Sequence, residues 1–406
     1  MVRSKPALLI FTAWFSLACA AAEPKAIDGS SVDGAGDSTS EAEAVAVSSP
    51  GEPLPGLKPS EQLTFGEGLA VFATAFTPAT GLGPLFNAPA CGECHEDPAA
   101  GGFGDEVEVH ESAFQAGPSC TTLDAVGGPV VQQHTTPELL AAMGIDKEPE
   151  IPGATAVGLR KSPLIFGMGL IDAVPDQLIR ALARVRYRDG VHGRAAVLPS
   201  GRVGRFSRKA TTASLEEFNA GAYFNEMGIT NRFNPVEGTV AGTPFGAGVD
   251  LAPEPEIDAT SLAASNMFVK LLGPVAPSPL SAETRFGRFL FYKVGCAECH
   301  IPLLRTGNSP IEALRFRWFR AYTDLLLHDL GQENADICNG VAAPSEFRTQ
   351  PLIGMQFADA FMHDGASQTI QQAIQRHGGE GAASRAKFLG LVPEQQAALA
   401  AFVQGL

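Results

Sequence analysis

In the C-terminal stretch "VPEQQAALAAFVQGL", Leu399, Phe402, Val403 and Leu406 stand at i, i+3, i+4 and i+7, with Pro393 near the start. That spacing places one apolar face on a helix, and proline is favoured in a first turn. Two further segments read as helices opened by a serine N-cap: "SEQLTFGEGLAVF" from Ser60 and "SAETRFGRFLFY" from Ser281. Aligning Phe65-Gly66 with Phe286-Gly287 brings Leu69 onto Leu290, which suggests a repeated unit. Between them, proline-rich stretches flank a short helix at about 259–272, and the chain is expected to change domain near Gly273 to Pro279. Thr369 and Gln372 form a capping-box pattern. Ile370, Ile374 and His377 then share a helix face, and Gly378-Gly379 ends it.

The N-terminal apolar run "ALLIFTAWFSLA" follows Arg3 and Lys5 and has the length of a signal peptide rather than a membrane span. Residues 1–20 read as that signal, with cleavage after Ala20 or lipidation at Cys19 as the two outcomes. Residues 21–58 hold small, polar and proline residues without an aromatic and read as a flexible tether, which suits an anchored protein. The expected location is therefore the periplasm, either free or as a lipoprotein. At 406 residues two domains are the natural expectation, 59–275 and 276–406. A net charge of −15 argues against nucleic acid or anionic lipid as a partner. The stretch 180–209 is the local exception, with nine Lys/Arg against Asp189. It reads either as a solvated basic face or as a source of partners for anionic groups.

The pentapeptides "CGECH" (91–95) and "CAECH" (296–300) stand 205 residues apart and use four of the seven cysteines. In C-x-x-C-H the two thiols can each form a thioether to a haem vinyl group, and the histidine beneath the ring can bind iron. A zinc site would need further ligands that no conventional spacing supplies, and a dithiol has no need of the histidine. Two covalently attached c-type haems follow, held by Cys91, Cys94 and His95, and by Cys296, Cys299 and His300. The fold expected is mainly α: two cytochrome c-like haem domains in tandem, with long loops. Cys120 and Cys338 remain, and the sequence leaves their pairing open. His377 on an apolar face is a candidate iron ligand; the dipole at a helix C-terminus is the competing reason for a histidine there.

Several ordered segments carry a resemblance: "RKSPLIFGMGLIDAVP" (160–175), "AGAYFNEMGITN" (220–231), "YTDLLLHDLG" (322–331), "FRTQPL" (347–352) and "FMHDG" (361–365). From about residue 60 onward the chain resembles the di-haem oxidoreductase (peroxidase) family. That family is related to bacterial di-haem cytochrome c peroxidases and to the enzyme that matures methylamine dehydrogenase. The resemblance implies peroxide reduction at the first haem, using electrons from a small redox protein that enter at the second. Fourteen residues after His363 it implies a distal ligand at His377, with His363 and His328 supporting the second haem. Matching "LEE" to residues 215–217 implies a distal acid at Glu226, and Asp172 lies in another family motif as an alternative. Two positions depart from the pattern: Arg208 stands where relatives place the tryptophan between the haems, and Phe218 where they place a glutamine, which would make the distal side more apolar. His110, His134, Met143, Met168 and Met227 are further candidates to cap the first iron. The resemblance also implies a calcium ion, for which no carboxylate cluster is legible. The alternatives to a peroxidase are a non-enzymatic electron carrier, or an oxidase or oxygenase on the same scaffold.

Overall fold

The computed structural model describes residues 47–114, 120–187 and 189–406. The expected signal segment and Cys19 lie outside them. So does most of the expected tether, but its last part is not loose. Residue Ser48 donates its N–H to Pro274, Leu54 donates to Leu271, and Leu54 and Leu57 are 2% and 7% exposed. The two leucines bury apolar surface against the core, which a composition average over 21–58 conceals.

One helix-pair contact occurs twice. The helix Pro59–Phe72 packs against Ala259–Leu271, and Ala282–Val294 packs against Pro393–Gln404. A Cβ on Gly68 would fall 2.1 Å from the Ala264 carbonyl oxygen and 2.9 Å from the Phe268 Cβ. A Cβ on Gly287 would fall 1.9 Å from the Ala398 carbonyl oxygen and 2.9 Å from the Phe402 Cβ. Phe72 then meets Phe268 (ring centroids 4.8 Å apart) as Phe291 meets Phe402 (5.5 Å). The repeat is therefore in register at Gly68 and Gly287, two residues away from the alignment that the Phe-Gly dipeptides suggest. Gly66 has no atom within 4 Å of its would-be Cβ, so nothing in the packing requires a glycine there. The helix at 259–271, which read as a link between halves, is the partner of the first helix.

The other boundaries follow local chemistry. The first helix starts at Pro59 rather than behind Ser60, because Pro59 takes the first turn and the Glu61 carboxylate accepts the Lys58 N–H at 2.8 Å. Ser281 caps its helix as expected, accepting from Thr284 N–H at 3.1 Å. Thr369 caps Ile370–Gln375 through the Gln372 N–H at 3.2 Å. That helix stops at Gln375, so His377 lies just beyond it rather than on its face.

Strand is the feature the sequence reading did not anticipate. An antiparallel sheet is centred on Val107–Phe114, with Ala156–Lys161 along one edge and Val130–Val131 and Cys120–Thr121 along the other. "VEVH" alternates apolar and polar residues at period two, the strand signal. The largest core cluster runs from Leu54 through Phe166 and Phe268 to Leu314, Phe319 and Ile353, drawing on both sides of residue 275. A second, built from Leu290, Phe291, Phe388, Leu399 and Phe402, belongs to the C-terminal part. Cys120 and Cys338 form a disulfide with Cα atoms 6.2 Å apart, joining the sheet to the later half. Among the described residues no helix is long and apolar enough to cross a membrane.

Candidate functional site

Cys91–Cys94 is a single helical turn, and His95 follows it. His95 Nδ1 lies 3.4 Å from the Gly102 carbonyl oxygen. A carbonyl only accepts, so Nδ1 carries the proton and Nε2 keeps its lone pair. Phe72 packs beside the ring at 6.4 Å. The helix Leu215–Met227 closes over this motif: Met227 is 2% exposed, and its Sδ lies 4.0 Å from Cys91 Sγ.

Glu226, the preceding residue, is anchored by Asn87, whose Nδ2 donates to Oε2 at 2.6 Å. Asn87 Oδ1 accepts from the Gln133 N–H at 3.0 Å, which fixes the amide with its NH₂ toward the acid. Burial, reinforced by the charge of Glu108, pushes Glu226 well above the ordinary carboxyl range; the Asn87 hydrogen bond opposes this only in part. The first motif thus has a histidine with a free ring nitrogen, and close by a carboxyl whose burial favours the protonated form.

The second motif differs. His300 Nδ1 lies 2.9 Å from the Tyr322 carbonyl oxygen, and His377 Nδ1 lies 2.7 Å from the Ala373 carbonyl oxygen. Both rings therefore offer a free Nε2, and both line one cavity of about 240 Å³. Burial, with the charge of His377 adding, lowers His300 to about 4, so it stays neutral and able to bind a metal. Burial lowers His377 as well. Apolar side chains of Phe291, Leu352, Ile370 and Leu399 form much of the wall. Two neutral imidazoles across an apolar-walled cavity, beside a pair of thiols, fit a flat iron porphyrin.

The thiols discriminate between chemistries. Burial raises Cys91 to about 11 and Cys296 to about 12, and raises Cys94 and Cys299 too. Neither pair is activated as thiolates by its surroundings, which argues against a reactive dithiol. Among the described residues the side chains grouped closely enough to hold a metal ion are Glu237, Asp250, Glu254 and Glu256, with ligand atoms within 4.8 Å of one another. Burial lifts Glu237 and Glu256 to about 8, so these carboxyls largely hold protons at neutral pH. This is the carboxylate cluster that the sequence did not reveal; an acidic cluster alone is not a calcium site.

The remaining expected residues are distributed as follows. Asp172 sits at the far end of the Leu215–Met227 helix, accepting the Leu215 N–H at 3.0 Å and pairing with Lys270 at 2.9 Å. Eleven residues of helix put it about 16 Å along the axis from Glu226, so its role is to cap and tether that helix. Phe218 packs against Phe206 in the main core (6.1 Å), the same core that Cys91 packs against. His134 is exposed and Met143 is 40% exposed, while Met168 lines the second cavity. His110 binds Glu108 at 3.0 Å. His328 lies between Asp324 (2.8 Å) and Glu380 (2.9 Å). Burial alone would lower it, but hydrogen bonds to Asp324, Cys299 and Glu380 outweigh that and hold it as an imidazolium. Burial drops His363 to about 3; its ring stacks on Phe347 at 4.1 Å and Nε2 is 3.4 Å from Asp336. The basic stretch is split: Arg205 and Lys209 are buried and pair with Asp176 and Asp336, whereas Arg184, Arg186, Arg194 and Arg202 are exposed, Arg194 pairing with Glu346. Phe103, one residue past the carbonyl that orients His95, lines the second cavity and so links the two motifs. Asn87, Glu108 and Phe103 carry no motif and were not singled out from sequence.

No curated protein matches the chain. Among solved structures it is similar to the di-haem peroxidase BthA from Burkholderia thailandensis (16% identity, 94% of this chain and 89% of that one, TM-score 0.40). It is also similar to a MauG-like protein associated with microbial copper homeostasis (18% identity, 60% and 88%, TM-score 0.30). A third is hydrazine synthase from Kuenenia stuttgartiensis (13% identity, 95% and 100%, TM-score 0.39). The family described as "Di-haem oxidoreductase, putative peroxidase" matches residues 153–406, more than half of the sequence. The chain belongs to this family of haem-dependent oxidoreductases.

Proposed function

We propose that the protein is an exported di-haem peroxidase that reduces hydrogen peroxide to water with two electrons and two protons, the electrons supplied by a small redox protein. The observation that carries the reading is the inequality of the two motifs. The second has two neutral histidines lining one cavity, whereas at the first Glu226, whose burial favours the protonated form, stands near His95. Two cytochrome c-like units, 59–275 and 276–406, are the architecture that the doubled helix pair supports. Cys91 and Cys94 would hold one haem covalently with His95 as its ligand. Cys296 and Cys299 would hold the other between His300 and His377. When bound, the haems supply an iron with an open face at the first site and a closed electron store at the second.

The chain's own contribution is proton handling and placement. Asn87 pins Oε2 of Glu226, which leaves the other oxygen to carry the proton. That proton can pass to the leaving oxygen as the peroxide O–O bond breaks, and a second proton from solvent completes two waters. Gly102 and Tyr322 hold the two proximal rings in their working tautomer. Phe103, adjacent to Gly102 and lining the second cavity, offers a route between the sites, in place of the tryptophan that relatives use. The disulfide suits an oxidising compartment and so supports export; a lipid anchor at Cys19 remains part of the proposal.

The test is peroxide turnover by protein matured in a host that attaches c-type haem, with a reduced small cytochrome as donor. Two covalent haems by intact mass and donor oxidation that depends on peroxide are expected. Protein that carries both haems but never consumes peroxide, even after one-electron reduction, would overturn the peroxidase reading and favour another oxidase chemistry.

A further inference from the structure

Two guanidinium groups face the second cavity without an acid to pair with. Arg208 and Arg348 both line it, beside His300 and His377. Arg348 is 9% exposed; its nitrogens donate to the Ser207 carbonyl (2.9 Å), the Thr349 carbonyl (3.0 Å) and the Gln350 side-chain oxygen (3.0 Å). Arg208 donates from Nη2 to the Lys161 carbonyl at 2.8 Å. Among the described residues neither is ion-paired with a carboxylate. Lys161 is a further buried cation nearby, 7% exposed, with Nζ over the ring of Phe103, which lines the cavity, at 4.8 Å.

The acids within electrostatic reach are committed elsewhere. Glu108 accepts from His110 at 3.0 Å, Asp324 is bound to His328 at 2.8 Å, and Asp364 accepts both terminal nitrogens of Arg376 at 2.9 and 2.7 Å. Burial, with Arg160 adding, pulls Arg208 down to about 10; burial, with Arg208 adding, pulls Arg348 down to about 9. A cation withdrawn from water is tolerated when an anion meets it, and Arg348, buried, and Arg208, half-buried, have only neutral acceptors. The missing anion must come from what fills the cavity. A planar guanidinium matches a carboxylate with two parallel hydrogen bonds.

We propose that Arg208 and Arg348 bind the carboxylates of the propionate arms of the haem attached at Cys296 and Cys299, and thereby raise that haem's reduction potential. This rests on the haem reading above. The position where relatives carry a tryptophan between the haems has, in this chain, become part of an anion cradle. The cations favour the electron-rich reduced state and keep the propionates ionised.

The experiment uses the matured holoprotein, with haem content checked by intact mass and the midpoint potential of each haem read by spectroelectrochemistry from pH 5 to 8. Arg208→Gln and Arg348→Gln should each lower the midpoint of the six-coordinate haem more than that of the other. Each should also add a pH dependence on the acidic side, as a propionate released from its guanidinium begins to titrate. Arg208→Lys and Arg348→Lys keep the charge and should restore most of the midpoint, which a merely structural role would not do; they also stand in if a glutamine variant fails to fold. A fully loaded glutamine variant with unchanged midpoint and pH profile would overturn the cradle and leave the haem reading standing. Wild type without a second haem would overturn both. Benzoate added to wild type should not move the midpoint; a shift would mean that the guanidiniums face a free anion site, and would overturn the propionate assignment.

Discussion

Replacing Glu226 with glutamine separates stability from chemistry. Glutamine keeps the shape and the oxygen that accepts from Asn87 Nδ2, and it removes the titrating proton. In the folded protein, burial and Glu108 raise the Glu226 pKa well above its unfolded value of about 4.3. The sign follows for a carboxyl whose folded pKa is raised. Its stabilising contribution is full below the unfolded pKa and is lost as pH climbs toward the folded one, because unfolding then releases a proton. One proton corresponds to about 1.4 kcal/mol per pH unit across that window. Glu226→Gln lacks this slope, so its advantage over wild type should grow from about pH 5 upward at up to that rate, read as the difference in unfolding free energy of the haem-loaded proteins. Peroxide turnover should meanwhile fall on the order of 10²–10⁴-fold, with both haem spectra nearly intact. Parallel stability curves across pH 5–8 would refute the raised pKa. Full turnover would refute the acid role, and Asp172 would not replace it, since it is bound to Lys270 at the other end of the helix.

Further outcomes test the remaining geometry. His377→Ala should convert the second haem from low-spin to high-spin and leave the first unchanged, because His377 lines the cavity beside His300; an unaltered absorption or EPR spectrum would remove it as a ligand. Gly287→Ala drives a Cβ to within 1.9 Å of the Ala398 carbonyl, so the helix pair must separate, and a loss of more than about 3 kcal/mol in unfolding free energy is expected. Gly66→Ala has open space and should fall within about 1 kcal/mol of wild type, or gain slightly, since alanine favours helix. Cys120→Ser with Cys338→Ser opens a constraint spanning 218 residues, and chain entropy gives on the order of 5 kcal/mol as its upper bound, measurable by denaturation with and without reductant.

What could be read from the sequence was local. Ser281 and Thr369 cap their helices because a side-chain oxygen can reach an N–H three residues on, whatever the rest of the chain does. The pentapeptides are equally self-contained. The register of the repeat was not legible, because Phe65-Gly66 and Phe286-Gly287 match as letters, whereas the contact that matters is made by Gly68. A glycine under a crossing helix and one on an open face look alike until the partner helix is in place. The sheet around Val107–Phe114 was missed for a related reason: its inner positions include Glu111 and Ser112, 6% and 0% exposed, which blur the alternation that marks a strand. Glu111 can be buried because its carboxylate accepts the Ile151 N–H at 2.8 Å, a partner forty residues away.

The two acids taken from the family motifs show why a site resists reading from one dimension. Glu226 and Asp172 both lie in matching segments, and both were candidates for the same proton. In the fold they occupy opposite ends of one helix. Asp172 meets a helix N-terminus and a lysine, which bind it to a structural task. Glu226 meets an amide, a neighbouring carboxylate and apolar surroundings, which favour the neutral form and leave a proton to give. Neither environment is encoded beside its residue: Lys270 is ninety-eight positions from Asp172, and Asn87 is 139 from Glu226. On the proposed function, proton chemistry at the first haem would depend on the Leu215–Met227 helix being docked at both ends. The ion pair at its start positions the acid at its finish, and weakening Asp172 should act on turnover only through Glu226.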